Sequence, residues 1–122
     1  MLRQVALEDL ALVRMAVSAP EVSGRIFGFH AQQCVEKLLK AVLASRGVDF
    51  PFTHDLEALR RLLVEQSLTV PVDPTALALL TPFSVRQMYG ELDDEPVDRA
   101  EILELAEQVT AWTAEWLEGA QS

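Results

Sequence analysis

The sequence predicts an all-α protein, an up-and-down bundle of four to five helices. Apolar residues recur at spacings of three and four along most of the chain, as they do on one face of a helix. No run of alternating apolar and polar residues is long enough to make a sheet. At 122 residues, half of them apolar, the chain suits one domain over residues 1–122, large enough to bury a core without covalent staples. A bundle closed by short connections is the simplest way to bury the helical faces together.

The first helix is expected over Leu2 to Val17, where Leu2, Val5, Ala6, Leu10, Val13 and Val17 share a face. Ser18-Ala19-Pro20 breaks it, since proline lacks the donor a continuing helix needs. The second helix is expected from about Ser23 to about Ser45, with Gly47 placed to cap it in the left-handed conformation. Its apolar residues, among them Phe27, Ala31, Cys34, Val35, Leu38, Leu39, Val42 and Leu43, fill an arc of roughly 220 degrees. So wide an arc predicts a central helix with neighbours on two sides. Gln33, Glu36, Lys37 and Lys40 are left as a polar face, with Glu36 and Lys40 ordered for an i, i+4 pair.

Phe50 and Phe52 are expected to plug one end of the bundle, and Thr53 to cap a third helix that runs on towards Pro71 through Leu56, Leu59, Leu62, Leu63 and Leu68. Asp73-Pro74 is a cap followed by proline at the first helical position, so a fourth helix opens there. It should bend at Pro82 and end near Tyr89, before Gly90. Asp98 and Glu101 then form a capping box for a fifth helix, in which Ile102, Leu105, Val109, Trp112 and Trp116 mark the apolar side.

The charge is unevenly placed. Residues 1–89 carry 9 acidic and 9 basic residues, whereas residues 90–122 carry 10 acidic residues against Arg99 alone, so the whole net charge of -9 lies in the last quarter. That segment repels phosphates and suits either a basic protein partner or a solvated face. The single cysteine, Cys34, has no partner for an internal disulfide, which fits a reducing compartment and a cytoplasmic protein. The first residues lack the unbroken apolar run of a signal peptide, and no stretch has the roughly 18 uncharged apolar residues of a membrane span.

Three stretches stand out together. The first is Phe29-His30-Ala31-Gln32-Gln33 with Glu36-Lys37 and Lys40 one and two turns on. Arg46-Gly47, Phe50-Pro51 and Thr53-His54-Asp55-Leu56 form the second, and Phe83-Ser84-Val85-Arg86-Gln87-Met88-Tyr89 the third. In these stretches the chain resembles the HEPN domain family. In the third, many family members carry an Arg-Tyr pair; here Met88 stands where that arginine would be, and the nearest arginine is Arg86. The resemblance implies a homodimeric bundle, often paired with a small nucleotidyltransferase in a toxin-antitoxin-like system. In many branches it also implies a metal-independent ribonuclease whose arginine is followed four to six residues later by a histidine.

Such a ribonuclease needs a base for the 2′-hydroxyl and a cation for the phosphorane. Arg25 to His30 has the family's spacing, but residues five apart on a helix point about 140 degrees away from each other. The chain's only histidines are His30 and His54, so none follows Arg86. The site candidates are therefore assigned to binding: His30, Gln32, Gln33, Arg86 and Tyr89 for a nucleotide or RNA, with Arg86 and Tyr89 one turn apart. His30, at the edge of the apolar arc, and His54, at a helix start, have structural readings as well: a hydrogen bond to a facing helix for the first, and a cap or a loop tether for the second. Phe29, Trp112 and Trp116 are the interface candidates. No metal-ligand spacing and no glycine-rich phosphate loop is present, so neither metal nor cofactor is expected, and nor is DNA. Two other functions stay open: a divergent ribonuclease using Arg86 with a histidine, and a purely structural helical module.

Overall fold

The computed structural model describes residues 1–84 and 97–119. Among these it has five α-helices and no strand: α1 (Leu2–Ala16), α2 (Gly24–Ser45), α3 (Leu56–Glu65), α4 (Pro74–Leu80) and α5 (Arg99–Gly119). A single 3-10 turn, Thr81–Phe83, follows α4.

Helix α2 is the axis of the bundle. Ser23 caps it, its Oγ accepting from the Ile26 amide at 3.1 Å. At the other end Gly47 takes φ +70°, which lets its amide reach Ala44 O and the Val48 amide reach Leu43 O. Two carbonyls of the last turn gain a partner this way. Thirteen of the 22 residues of α2 are buried, too many for one apolar face, and the helix packs against α1, α3, α4 and α5. The expected central position is observed, with contacts on more sides than two. Its contact with the 3-10 turn needs a glycine: a Cβ on Gly28 would come within 2.6 Å of the Phe83 ring, which rests directly on the α2 backbone.

The phase expected for α1 holds, with Ala6, Leu10, Val13 and Ala16 buried. Helix α3 differs at both ends. Its cap is Asp55, whose carboxylate accepts from the Glu57 amide at 3.0 Å; Thr53 instead accepts from the Asp55 amide and tightens the turn before it. It stops at Glu65 because Ser67 adopts φ +62° and Leu68 N returns to Leu63 O, the same closure that Gly47 makes for α2. The leucine pattern continues to Leu68 through that reversal, which is why periodicity alone overruns the helix. Asp73 and Pro74 open α4 as expected. Pro82 does not bend a continuous helix: the chain leaves α-geometry at Leu80, makes the 3-10 turn and is extended at Ser84. The expected helix end near Tyr89 lies outside the described residues.

Asp98 caps α5, accepting from the Glu101 amide at 3.0 Å. Ile102, Leu105, Ala106, Val109, Thr113 and Leu117 are its buried side. That face is turned slightly from the expected one, which leaves Trp112 half-buried and Trp116 exposed, their rings edge to face at 6.4 Å. Arg99 joins this helix to the α1–α2 connection. Its guanidinium donates to the carbonyls of Ala16 (2.8 Å), Ala19 (3.0 Å) and Val22 and lies over the Phe27 ring. Arg14 pairs with Glu107 to hold α1 to α5. Phe50 packs on the core as expected, but Phe52 is 96% exposed and plugs nothing.

Leu38 is fully buried near the middle of α2. Leu38→Ala is expected to cost about 2 to 5 kcal/mol in denaturant melts, through lost transfer energy and the cavity left behind.

Candidate functional site

The polar strip of α2 is not a solvated face. Glu36, placed there by its spacing from Lys37 and Lys40, is only 4% exposed, because the connection from α2 to α3 folds back over it. Three side chains converge on the buried carboxylate. Lys40 Nζ reaches Oε2 at 2.9 Å, while Gln32 Nε2 and His54 Nδ1 reach Oε1 at 2.8 and 2.9 Å. Gln32 also donates to the His54 carbonyl at 3.2 Å, and its own oxygen accepts from Gln33 at 2.7 Å. Burial pushes the Glu36 carboxyl up, but the hydrogen bonds from Lys40, Gln32 and His54 outweigh it and hold it below the usual value of 4.5. The carboxylate stays charged and fully engaged.

His54 is thereby a tethered residue with an exposed edge. The carboxylate can only accept, so Nδ1 carries the proton. A neutral ring then presents Nε2 as an acceptor, and Nε2 has no partner among the described residues. The imidazole side chain is 36% exposed and touches the Phe52 ring edge to face at 5.8 Å. Lys40 lies 5.8 Å from the Phe50 ring centre and 6.0 Å from that of Phe52.

The same arrangement occurs again around His30. Its Nδ1 meets Asp9 Oδ1 on α1 at 3.1 Å, Lys37 holds the other oxygen at 2.8 Å, and the ring touches Phe29 at 5.2 Å. Each histidine is thus fixed by a carboxylate, each carboxylate is neutralised by a lysine, and each ring has a phenylalanine at its edge. The bond to a facing helix expected for His30 is observed; of the two roles open to His54, cap or loop tether, it takes the tether, since Asp55 is the cap.

Of the residues expected to face a ligand, His30 and Gln33 are half-buried and reach solvent. Gln32 does not: at 0% exposure it works from beneath, joining Glu36 to the loop. Arg86 and Tyr89 lie outside the described residues. Phe29 is half-buried beside His30, away from the tryptophans of α5. Glu36, Lys40, Asp9 and Phe52 were missed as site residues. Their types and spacing were visible, but the return of a loop over one face of α2 was not. Cys34 is no candidate nucleophile: burial pushes its thiol up to about 12, so it stays protonated. No group of histidine, cysteine and carboxylate side chains among the described residues could hold a metal ion. No helix there is long and apolar enough to cross a membrane. A cavity of about 230 Å³ lies elsewhere, between α4, Phe83 and the start of α5, and none of the histidines lines it.

The family model of the HEPN domain matches residues 2–116. No curated protein and no solved structure matches the chain.

The buried cluster changes what Lys40 is worth. On a solvated face Lys40→Ala would cost less than about 0.5 kcal/mol. Paired with a buried carboxylate, it is expected to cost about 1.5 to 3 kcal/mol in denaturant melts. Because the folded-state value of Glu36 is depressed, its stabilisation is present above about 4.5 and is lost as pH falls through the folded value. The stability difference between the wild type and Glu36→Gln should therefore shrink on acidification from pH 6 to pH 3.

Proposed function

Because the chain belongs to the HEPN domain family, we propose that it is a binding module, a homodimer that docks on a small nucleotidyltransferase in a toxin-antitoxin-like pair and presents one surface to nucleotide or RNA. The observation that carries this reading is the way the histidines are held. Each is tied at Nδ1 to its own carboxylate, Asp9 or Glu36, and among the described residues neither meets an arginine. An arginine–histidine pair on one phosphate is what the family's ribonucleases need, and no histidine follows Arg86 in the sequence. Rings fixed in orientation with a phenylalanine beside them suit the recognition of a ligand. Arg86 and Tyr89, three residues apart in the sequence, bring a phosphate grip and an aromatic ring to the same role.

The acidic excess of the last quarter favours a basic protein partner. Half-buried Phe29, with Trp112 and exposed Trp116, supplies apolar surface for the second copy.

Purification from the native cell should recover a nucleotidyltransferase with the protein; recovery of the protein alone would remove the partner from this reading. Sedimentation at micromolar concentration should give the mass of a dimer, with Phe29→Glu shifting it towards monomer. Nucleotide or short-RNA binding, followed by calorimetry, should weaken about tenfold or more in Arg86→Ala. It should barely change in Arg60→Ala, whose guanidinium is already engaged by Glu57. Equal losses in both would reduce the effect to general charge attraction. RNA cleavage that falls about 100-fold in His30→Ala or His54→Ala would instead make the protein an enzyme.

A further inference from the structure

We infer that the loop laid over Glu36 is a binding site for a ribonucleoside unit, with its base stacked on Phe52 and a ribose hydroxyl donating to Nε2 of His54. This rests on the nucleotide- or RNA-binding reading and gives it a place that the sequence did not indicate. Phe52 is 96% exposed, although Phe50, two residues earlier, is packed on the core. The ring therefore stands in water, with Lys40 over one side at 6.0 Å and the other side open for stacking, a surface that any base can use. It touches His54 at 5.8 Å with the planes 69° apart, so a group lying on the phenyl ring has the imidazole edge beside it.

The polarity of that edge selects the ligand. Nδ1 is committed to Glu36, so whenever the ring is neutral its Nε2 accepts a hydrogen bond and calls for a donor. Lys40, the nearest cation, is itself committed to Glu36, and the exposed carboxylates Asp49 and Asp55 flank the loop. With the Lys40 charge offset by Glu36 and two further carboxylates beside it, the field there does not favour a bare phosphate. A ribonucleoside offers both a π-face and hydroxyl donors, and the 2′-hydroxyl is what sets RNA apart from DNA. Stacking and one neutral hydrogen bond should make this contact only weakly dependent on salt, unlike a phosphate grip.

The test uses the whole protein with adenosine 5′-monophosphate, its 2′-deoxy counterpart, and octa-adenylate as RNA and as DNA. Binding is followed by calorimetry and by the imidazole NMR signals of His54. The ribo probe is expected to bind about 3- to 10-fold tighter than its deoxy counterpart, the scale of one hydrogen bond. Phe52→Ala should weaken both roughly tenfold, the scale of one stacked base. Because Phe52 is exposed, that variant should fold as the wild type does. His54→Asn keeps an amide donor for Glu36 and removes Nε2, so it should retain the melting temperature while bringing the ribo and deoxy affinities together. Saturable binding of the mononucleotide identifies a free nucleotide as the source, and binding of the octamer alone identifies an RNA strand. Wild-type affinity in Phe52→Ala, or equal affinity of the wild type for ribo and deoxy probes, would overturn this site and leave the broader reading standing. No binding of any probe by the wild type would overturn both.

Discussion

A carboxylate taken out of water must be matched by donors, and Glu36 has three: Lys40 and Gln32 on its own helix and His54 from the loop beyond it. Desolvation works against the charged form and the hydrogen bonds restore it, so removing any one donor leaves a buried charge short of a partner. That constraint reaches well past one residue. It pulls residues 48–55 across the polar side of α2 and sets where Asp55 can cap α3, while Gln32 ties the loop backbone at the His54 carbonyl. With α1 held on another side through Asp9, His30 and Lys37, the central helix has polar ties along the strip its apolar arc leaves open.

Much of the fold is legible in the sequence because it depends on local chemistry. Ser23, Asp73 and Asp98 cap the helices they precede, and Gly47 closes α2, because each needs only its own neighbouring amides and carbonyls. The buried arc of α2 follows from its period. Failures occur where a distant segment decides. Glu36 and Lys40 look like a surface ion pair until the loop covers them, and Phe52 looks like core because aromatic residues usually are. Ser67 closes α3 in a conformation that non-glycine residues seldom adopt, so the leucine pattern gives no sign of the stop. Arg99 ends up donating to three carbonyls of the α1–α2 connection, a bond set with no signature in spacing.

The candidate site was legible in its parts and not in its assembly. His30, Gln33, Glu36, Lys37, Lys40 and His54 all lie in the stretches that carry the family resemblance, yet their roles differ from what a linear motif suggests. The carboxylates and lysines do not face a ligand; they neutralise one another and orient imidazoles. Membership of the HEPN domain family gives the bundle. The repeated carboxylate–histidine geometry holds each ring at Nδ1 and fixes which edge of it is turned away from the carboxylate.

The central claim is that Glu36 fixes the proton of His54 on Nδ1 and leaves Nε2 as the outward acceptor. Long-range nitrogen–proton NMR correlations of the native protein above pH 8 read the tautomer of each ring directly. Protonated Nδ1 and bare Nε2 are expected for His54, with the Glu36→Gln variant losing that preference. A native His54 protonated on Nε2, or averaging freely between the two forms, would contradict it.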